Sequence, residues 1–303
     1  MRQPAQRKRD VRHAGVALET VDDVPAHHGR RARVLAVAQC AQDRGVLARD
    51  VLLVRNAGRG EQAMRDIRAS VPDAKLDVLE CDLASQSSIR DAAKRFMENH
   101  DRLDILVNAA GVFVKDRKLT ADGIELTFAT NYLAYFLLTN ELLPILRSSA
   151  PARVINLASK YGRSKIDFED LQKLRTRYSY LKSAPQTMLA RVLFTQELAL
   201  RLDGTGVVVN AVHPGLVAHT GLLHDTRGPF KWVTDTFGST PEKGADTVLW
   251  LATAPEAATV SGKLFAKRKE IRTPGQGSDP DARKRLWEES EKLTNRSGPR
   301  IAS

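Results

Sequence analysis

Residues 104–111 read Asp-Ile-Leu-Val-Asn-Ala-Ala-Gly, a short apolar run that ends in a sharp turn. Similar runs, rich in Val, Ile and Leu, recur after residue 50, at residues 51–54, 76–80, 103–108, 153–158, 207–212 and 262–265. Strands that are buried on both faces of a parallel sheet have this composition. We therefore predict six strands of one parallel sheet, with the backbone leaving the sheet at the Asn-Ala-Ala-Gly turn.

Amphipathic stretches lie between the apolar runs, at residues 60–71, 85–100, 123–148, 184–202 and 241–253. Strands that alternate with helices predict an α/β fold, a doubly wound parallel sheet with helices on both faces. No internal repeat is present, so we predict a single domain over residues 50–273. Residues 274–303 are predicted to form a polar linker, a last helix over 281–294 and a tail, with Leu286 and Trp287 packing on the domain.

The composition argues against several classes of function. The chain has 303 residues and a formal net charge of +11, but residues 1–49 alone carry ten basic and five acidic side chains. The remaining charges are spread over mixed-charge helices without interleaved aromatic residues, which argues against a nucleic-acid-binding surface. Two cysteines, Cys40 and Cys81, are too few for a disulfide framework. We therefore expect a protein of the reducing cytoplasm that binds no nucleic acid.

A membrane span is not expected from the sequence. The most apolar stretch, residues 132–146, is shorter than the roughly 18 uninterrupted apolar residues of a membrane span. It also contains Asn140 and Glu141. We predict that it is a buried helix.

Residues 1–49 differ from the rest of the chain in amino-acid composition and in hydrophobic periodicity. They contain nine arginines and one lysine and show little sustained periodicity. Val34, Leu35 and Val37 predict a first strand over residues 31–39. Two interpretations stay open. An arginine- and alanine-rich segment is what GC-rich DNA gives when it is read out of frame, and the alternative is a genuine lineage-specific extension. We predict an atypical, poorly ordered segment.

Four motifs resemble the short-chain dehydrogenase family, and most closely its retinol-dehydrogenase-like branch: Cys81-Asp82-Leu83, Asn108-Ala109-Ala110-Gly111, Val154-Ile155-Asn156-Leu157-Ala158-Ser159 and His213-Pro214-Gly215. The resemblance extends from Val51 to about Thr294. It implies a Rossmann-like fold and an NAD(P)-dependent oxidoreductase for an apolar alcohol or carbonyl compound. We also expect a small lipophilic substrate and a homodimer formed through the long central helices.

In this family a Ser, a Tyr and a Lys act together, because the Lys ammonium favours the phenolate of the Tyr that transfers the proton. The resemblance implies that Ser159 hydrogen-bonds the substrate oxygen and that Asn131 supports the proton relay. The Tyr-x-x-x-Lys motif, however, aligns with Ala184 and Met188, and neither side chain transfers a proton. We therefore expect family-type catalysis to be impaired. The alternative is a nonenzymatic pseudoenzyme that binds or scaffolds a partner.

A second Tyr-x-x-x-Lys sequence lies nearby, at residues 178–182. On the same helix as Ala184, its six-residue displacement would move it about 9 Å along the axis and rotate it by a net angle of about 240°. We expect it to face away from the site. The alternatives are a rearranged loop that brings Tyr178 or Tyr180 to the site, or an acid supplied by Lys160 or Tyr161.

The resemblance also implies a set of cofactor-binding residues: Arg55 at a 2′-phosphate, Asp82 and Leu83 at the adenine, Asn108, Ala109, Ala110 and Gly111 beside the cofactor, and Pro214 and Gly215 near the carboxamide. Arg55 favours NADP over NAD. The family's glycine-rich phosphate loop, Thr-Gly-x-x-x-Gly-x-Gly, is missing, because residues 38–43 read Ala-Gln-Cys-Ala-Gln-Asp. We therefore expect weak or absent cofactor binding.

The segment after β-strand 207–212 completes the predicted site. His213 is interpreted as a turn residue, and His219 stands where the family commonly has a Thr, with Thr220 one place later. Residues 228–232 read Gly-Pro-Phe-Lys-Trp and are predicted to belong to a substrate lid whose composition suits a lipophilic substrate. No His, Cys and Asp residues have metal-ligand spacing, so we predict no metal site.

Overall fold

The computed structural model of the chain describes residues 14–18, 49–159, 162, 164–215, 217 and 239–294. These residues form one sheet with the strand order β3-β2-β1-β4-β5-β6-β7-β8. The strands are β1 (Ala14–Leu18), β2 (Arg49–Val54), β3 (Lys75–Glu80), β4 (Ile105–Asn108), β5 (Ala152–Leu157), β6 (Val207–Val212), β7 (Leu264–Ala266) and β8 (Lys269–Glu270). All neighbouring strands are parallel except β7 and β8, which are antiparallel. The predicted doubly wound α/β fold is confirmed.

The helices follow the predicted stretches: α1 (Ala57–Arg68), α2 (Gln86–Asn99), α3 (Leu126–Phe128), α4 (Ala134–Glu141), α5 (Leu143–Ser148), α6 (Tyr180–Arg201), α7 (Pro241–Thr253) and α8 (Pro280–Leu293). The single helix predicted over 123–148 is a run of α3, a π-helical turn (Ala129–Leu133), α4 and α5, which we call the central helix. No helix in the described ranges is long and apolar enough to cross a membrane.

Helix α6 begins four residues before the predicted start at residue 184. The carbonyl of Ser179 accepts the backbone N–H groups of Lys182 and Ser183, each at 2.9 Å, and these bonds close the first turn. Pro185 lies inside the helix. The predicted helix was therefore about one turn too short at its N-terminal end.

Strand β1 lies in the middle of the sheet, between β2 and β4, where Val16 pairs with Val51 and with Leu106. Strands β2 and β3 follow on one side of β1, and β4 to β8 follow on its other side. The carboxyl ends of β1 and β4 therefore form a topological switch point. Sheets of this type bind ligands in the crevice outside those ends. The strand predicted over residues 31–39 lies outside the described residues, and the strand in this position of the sheet is Ala14–Leu18.

The two faces of the sheet are covered by different helices. Leu106 and Val154 pack in the cluster formed with the central helix and α6, whereas Val107 and Ile155 pack in the cluster formed with α7. This alternation follows from the two-residue period of a strand. The carboxyl ends of β4 and β5 are therefore fixed from both sides, and the residues that follow them have defined positions.

Helix α8 closes the first of these faces. Leu286 and Trp287 are 1% and 3% exposed, as predicted for packing residues. The Trp287 ring lies 4.9 Å from the ring of Phe136 and 6.0 Å from that of Phe194. Aromatic contacts at these separations stabilise beyond their buried area. The C-terminal helix thus holds the central helix and α6 together behind the site.

Candidate active site

Ser159 and His213 meet at the carboxyl edge of the sheet. Leu157 of β5 pairs with Val212 of β6, so the residues that follow these two strands emerge side by side. The Oγ of Ser159 and the Nδ1 of His213 form a hydrogen bond of 3.2 Å. The backbone N–H of His213 donates to the carbonyl of Phe265 at 2.7 Å, which fixes the turn. The sequence reasoning took His213 for a turn residue and missed this pairing.

Asn131 holds the segment that follows the Asn-Ala-Ala-Gly turn. Its Oδ1 accepts the backbone N–H of Val112 at 2.7 Å, and its Nδ2 donates to the carbonyl of Val112 at 2.9 Å. The side chain is completely buried. Asn131 therefore connects the π-helical turn of the central helix to the carboxyl end of β4, next to the predicted cofactor wall.

Arg191, on α6, is the charged residue that sequence reasoning overlooked. Its Nη2 donates to the carbonyl of Ala110 and its Nη1 to the carbonyl of Leu157, each at 3.0 Å. Its Nε donates to the carbonyl of Asn131. The guanidinium also lies 4.5 Å from the ring centre of Tyr135. One buried side chain thus joins the ends of β4 and β5 to the π-helical turn.

Ala184 and Met188, the residues predicted to stand at the family's Tyr and Lys positions, both lie on α6. Ala184 and Met188 lie one helical turn apart, and Ala184 is 2% exposed. The Met188 sulfur lies 3.6 Å from Nη1 of Arg191, which in turn binds the last residue of β5. Met188 therefore lies close to the carboxyl end of β5. Neither residue supplies an ionisable group.

The second Tyr-x-x-x-Lys sequence is engaged elsewhere. Tyr178 precedes α6, and its hydroxyl lies 2.9 Å from the Oγ of Thr127 and donates to the carbonyl of Val114 at 3.3 Å. Burial raises the pKa of Tyr178 from its ordinary value. Lys182 is exposed on α6. The hydroxyl of Tyr178 is thus bonded to the central helix and not to Ser159. Lys160 and Tyr161 lie outside the described residues.

A chain of buried amides and hydroxyls lies behind the site. Nδ2 of Asn108 donates to Oδ1 of Asn156 at 2.8 Å and to Oγ of Thr139 at 3.0 Å. Asn156 donates in turn to the Oγ of Thr195 at 2.9 Å. This chain links β4, β5, the central helix and α6. Its hydrogen bonds hold these four elements together, and Oδ1 of Asn108 is the member that has no hydrogen-bond partner among the described residues.

Two predicted adenosine-binding residues emerge at the ends of β2 and β3, which are neighbours in the sheet. Arg55 follows β2 and is exposed. The Oδ1 of Asp82 accepts the backbone N–H of Ala84 at 2.9 Å, and Leu83 is buried. Asn56, next to Arg55, caps α1 by accepting the N–H of Arg59 at 3.0 Å. The structure brings Arg55 and Asp82 to one edge, as the predicted site requires.

The other predicted cofactor residues lie further along the same edge. Ala110 is buried, while Ala109 packs towards the α7 cluster. Gly215 follows Pro214 with a backbone φ of +83°, and an added Cβ would meet no atom within 4 Å. The turn therefore favours glycine through its backbone conformation rather than through crowding. His219, Thr220 and residues 228–232 lie outside the described residues.

A family model described as short chain dehydrogenase matches residues 46–229. The chain belongs to this family. It is 39% identical over 262 residues to retinol dehydrogenase 13 of Homo sapiens, which covers 83% of this chain and 78% of that protein. It is 39% identical over 264 residues to retinol dehydrogenase 14 of Mus musculus, with 80% and 78% covered. A crystal structure of an uncharacterised protein from Mycobacterium paratuberculosis matches with a TM-score of 0.70 and 28% identity over 94% of both chains.

These similarities confirm the predicted family and its retinol-dehydrogenase-like branch. The chain is a short-chain dehydrogenase with the Rossmann-like fold of oxidoreductases that use nicotinamide dinucleotides. In the ranges that the structure covers, no three or more His, Cys, Asp or Glu side chains are grouped closely enough to hold a metal ion.

The residues predicted to bind the two ends of a dinucleotide lie along one edge of the sheet. Arg55 and Asp82, predicted for the adenosine moiety, follow β2 and β3, and Gly111 and Gly215, predicted for the nicotinamide end, follow β4 and β6. The pyrophosphate position differs, because the sequence after Leu18 reads Glu-Thr-Val-Asp-Asp, with no glycine before Gly29. Backbone N–H groups of a glycine loop favour phosphates, whereas carboxylates repel them. The sequence therefore lacks the usual phosphate cradle next to β1.

Proposed function

We propose that this chain exchanges hydride between a nicotinamide dinucleotide, NADP in preference to NAD, and a small lipophilic alcohol or carbonyl compound. The retinol dehydrogenase relatives support the substrate class. Arg55 at the end of β2 supports a 2′-phosphate. The observation that carries the proposal is the hydrogen bond of 3.2 Å between Ser159 and His213. It joins the hydroxyl that the family uses on the substrate oxygen to a side chain that can hold a proton.

The proton route runs through these two residues. Ser159 hydrogen-bonds the oxygen of the reacting carbonyl. The reduced dinucleotide, when bound, supplies the hydride to the carbonyl carbon. The oxygen receives the hydroxyl proton of Ser159, and Ser159 recovers a proton from His213, since a histidine ring can act as a general acid and base. One hydride and one proton thus convert the carbonyl compound into an alcohol, and the reverse sequence oxidises it.

We further propose that turnover is slow. A positioned general acid contributes about a hundred- to ten-thousand-fold to a rate. Ala184 and Met188 contribute nothing of this kind, so the relay of Ser159 and His213 carries the whole proton transfer. The pyrophosphate position lacks a glycine cradle, which supports weak dinucleotide binding as well.

A lipophilic substrate is supported by the residues next to Asn131. Val112, Phe113 and Val114 are half-buried and follow directly on the Asn-Ala-Ala-Gly turn. The ring of Phe113 packs edge-on against that of Tyr180, with 6.4 Å between the ring centres. This apolar surface begins at the residue that Asn131 holds. It suits an apolar chain or ring whose polar end reaches Ser159.

The proposal is tested on the full chain by isothermal titration with NADPH and NADH and by NADPH-dependent reduction of retinal. We expect NADPH to bind more tightly than NADH, slow reduction by the unchanged chain, and a loss of about tenfold or more in Ser159→Ala. Lys182→Gln, an exposed change on α6, is the matched control and should leave the rate unchanged. Dinucleotide binding without turnover, with no effect of Ser159→Ala, would identify a pseudoenzyme instead.

A further inference from the structure

Arg191 is a buried cation that has no counter-charge among the residues that the structure describes. It is 4% exposed. Its contacts within the described residues are three backbone carbonyls, the sulfur of Met188 and the ring of Tyr135, and none of them is a carboxylate. Burying an unpaired charge costs free energy, so a buried arginine in this position suggests a functional role.

The three carbonyls belong to three different parts of the site. Ala110 lies in the turn after β4, Asn131 lies in the π-helical turn, and Leu157 ends β5 two residues before Ser159. A π-helical turn disturbs the regular backbone pairing of a helix and is often found at functional sites. Here the carbonyl of Asn131 accepts the Nε–H of Arg191. The guanidinium therefore lies between the predicted cofactor wall and the strand that carries Ser159.

No carboxylate of the described residues neutralises the charge of Arg191. Carbonyl dipoles satisfy its N–H groups, but they do not remove its net charge. A guanidinium is protonated throughout the range in which proteins fold, and a charge in a low-dielectric interior acts over longer distances than one in water. A fixed cation at this edge of the sheet favours negative charge that develops on an oxygen bound by Ser159.

Met188 contacts Arg191 and stands at the position predicted for the family's lysine. Position 188 is where the family carries its lysine, and the Met188 sulfur lies 3.6 Å from Nη1 of Arg191. A lysine at 188, a half-buried position, would bring a second positive charge alongside the buried guanidinium. Like charges at this range disfavour each other.

We propose that Arg191 supplies the fixed positive charge of this site in place of the family's lysine, so that a cation at 188 and a cation at 191 exclude each other. Arg191 is a positioning residue, because it touches the strand ends and the π-helical turn and not the reacting atoms. The inference rests on the proposed function, since it assigns this charge a part in the same reaction.

A double-mutant cycle on the full chain tests this proposal: Met188→Lys, Arg191→Gln and both together, with Met188→Leu as the neutral control in each background. We expect Met188→Lys to lower the melting temperature more than Met188→Leu when Arg191 is present. In the Arg191→Gln background, Met188→Lys should give a higher melting temperature than Met188→Leu. In the same background, Met188→Lys should reduce retinal about tenfold faster than Met188→Leu, which a merely structural role of Arg191 does not explain.

Two further variants keep the result clear. Leu200→Lys adds one charge at an exposed position of α6 and should show no coupling to Arg191→Gln. Arg191→Lys retains the charge without the planar fork and should keep more activity than Arg191→Gln. If Arg191→Gln fails to fold, folding of the double variant Met188→Lys/Arg191→Gln supports the proposal. If the single and the double variant both fail to fold, the proposal is contradicted.

Failure of the proposed oxidoreductase function and failure of the proposed role of Arg191 give different results. If the chain is no oxidoreductase, no variant consumes NADPH, but the coupling between positions 188 and 191 in melting temperature persists. Independent effects of the two changes on melting temperature, with no rescue by lysine, would overturn the role of Arg191 whatever the activity of the unchanged chain.

Discussion

The hydroxyl oxygen of Ser159 lies 3.2 Å from Nδ1 of His213, although the two residues are 54 positions apart in the chain. They meet because β5 and β6 are parallel neighbours that end at the same level of the sheet. This pair supplies the predicted site with a hydroxyl and an imidazole, whereas Ala184 and Met188 supply no group that transfers a proton. Its chemistry rests on both members together.

The pair predicts a non-additive loss of activity. His213→Gln keeps a polar side chain but no group that can exchange a proton near neutral pH, so it should slow retinal reduction about as much as Ser159→Ala. The double variant should be no slower than the slower single variant, because both residues act in one relay. Steady-state kcat/KM values of the four proteins check this. Fully additive losses would mean that the two residues act independently.

Restoring the family's motif should succeed only when Arg191 is also changed. Ala184→Tyr with Met188→Lys creates the proton-transfer pair on one face of α6, but it leaves the new ammonium beside a guanidinium. We expect little gain from this double variant and a gain of about a hundredfold or more from the triple variant that adds Arg191→Gln. Rates of retinal reduction at saturating NADPH compare the two. Equal activation of the double and triple variants would contradict the expectation.

Much of the fold was predictable because its signals are local. Apolar runs rich in β-branched residues predicted β2 to β7, whereas β8 was missed because its two residues, Lys269 and Glu270, are charged. Strand β1 was not predicted, since Ala14–Leu18 is short and lies in a segment of unusual composition. The π-helical turn within Ala129–Leu133 was missed as well, because its sequence is as apolar and helical as its surroundings.

The role of Arg191 could not be derived from the sequence. Its three carbonyl partners are 34, 60 and 81 positions away, and backbone carbonyls leave no trace in residue identity. The only signal is the arginine itself, within the otherwise apolar run Leu189–Phe194 of a buried helix face. The Ser159 and His213 pair had a stronger signal, because each residue directly follows a predicted strand.

Arg55 should determine the preference for the dinucleotide. Its cation at the end of β2 favours a 2′-phosphate, so Arg55→Gln should weaken NADPH binding by about tenfold and leave NADH binding nearly unchanged. Isothermal titration with both dinucleotides measures this. Arg65→Gln, an exposed change further along α1, removes the same charge and is the control. An equal loss for NADPH and NADH would show that Arg55 does not read the 2′-phosphate.

Asp50 should make the stability of the chain depend on pH. Asp50 is 5% exposed in β2, opposite Gly15 and Leu76, and burial raises the pKa of its carboxyl group from 3.8 to about 7. The folded chain therefore holds a proton that the unfolded chain releases above about pH 4. The free energy of unfolding should fall as the pH rises from about 4 to 7, and the full penalty should persist above pH 7.

Asp50→Asn removes this ionisation. We compare the free energy of unfolding of the variant with that of the unchanged chain. This difference should be about 2 to 3 kcal/mol more in favour of the variant at pH 8 than at pH 5. Urea titrations at the two pH values give the difference. Asp73→Asn, an exposed change before β3, alters the charge equally and serves as the control. A constant difference between Asp50→Asn and the unchanged chain at both pH values would show that this carboxylate does not titrate on folding.

Transfer of deuterium from NADPH labelled at the nicotinamide C4 position tests the proposed oxidoreductase most directly. The full chain is incubated with retinal and the two stereospecifically labelled forms of NADPH, and the product is analysed by mass spectrometry. We predict retinol that carries one deuterium on the carbinol carbon from one of the two forms, with much less product from Ser159→Ala and His213→Gln. Absence of labelled retinol with both forms, under conditions in which NADPH binds, would contradict hydride transfer to retinal by this chain.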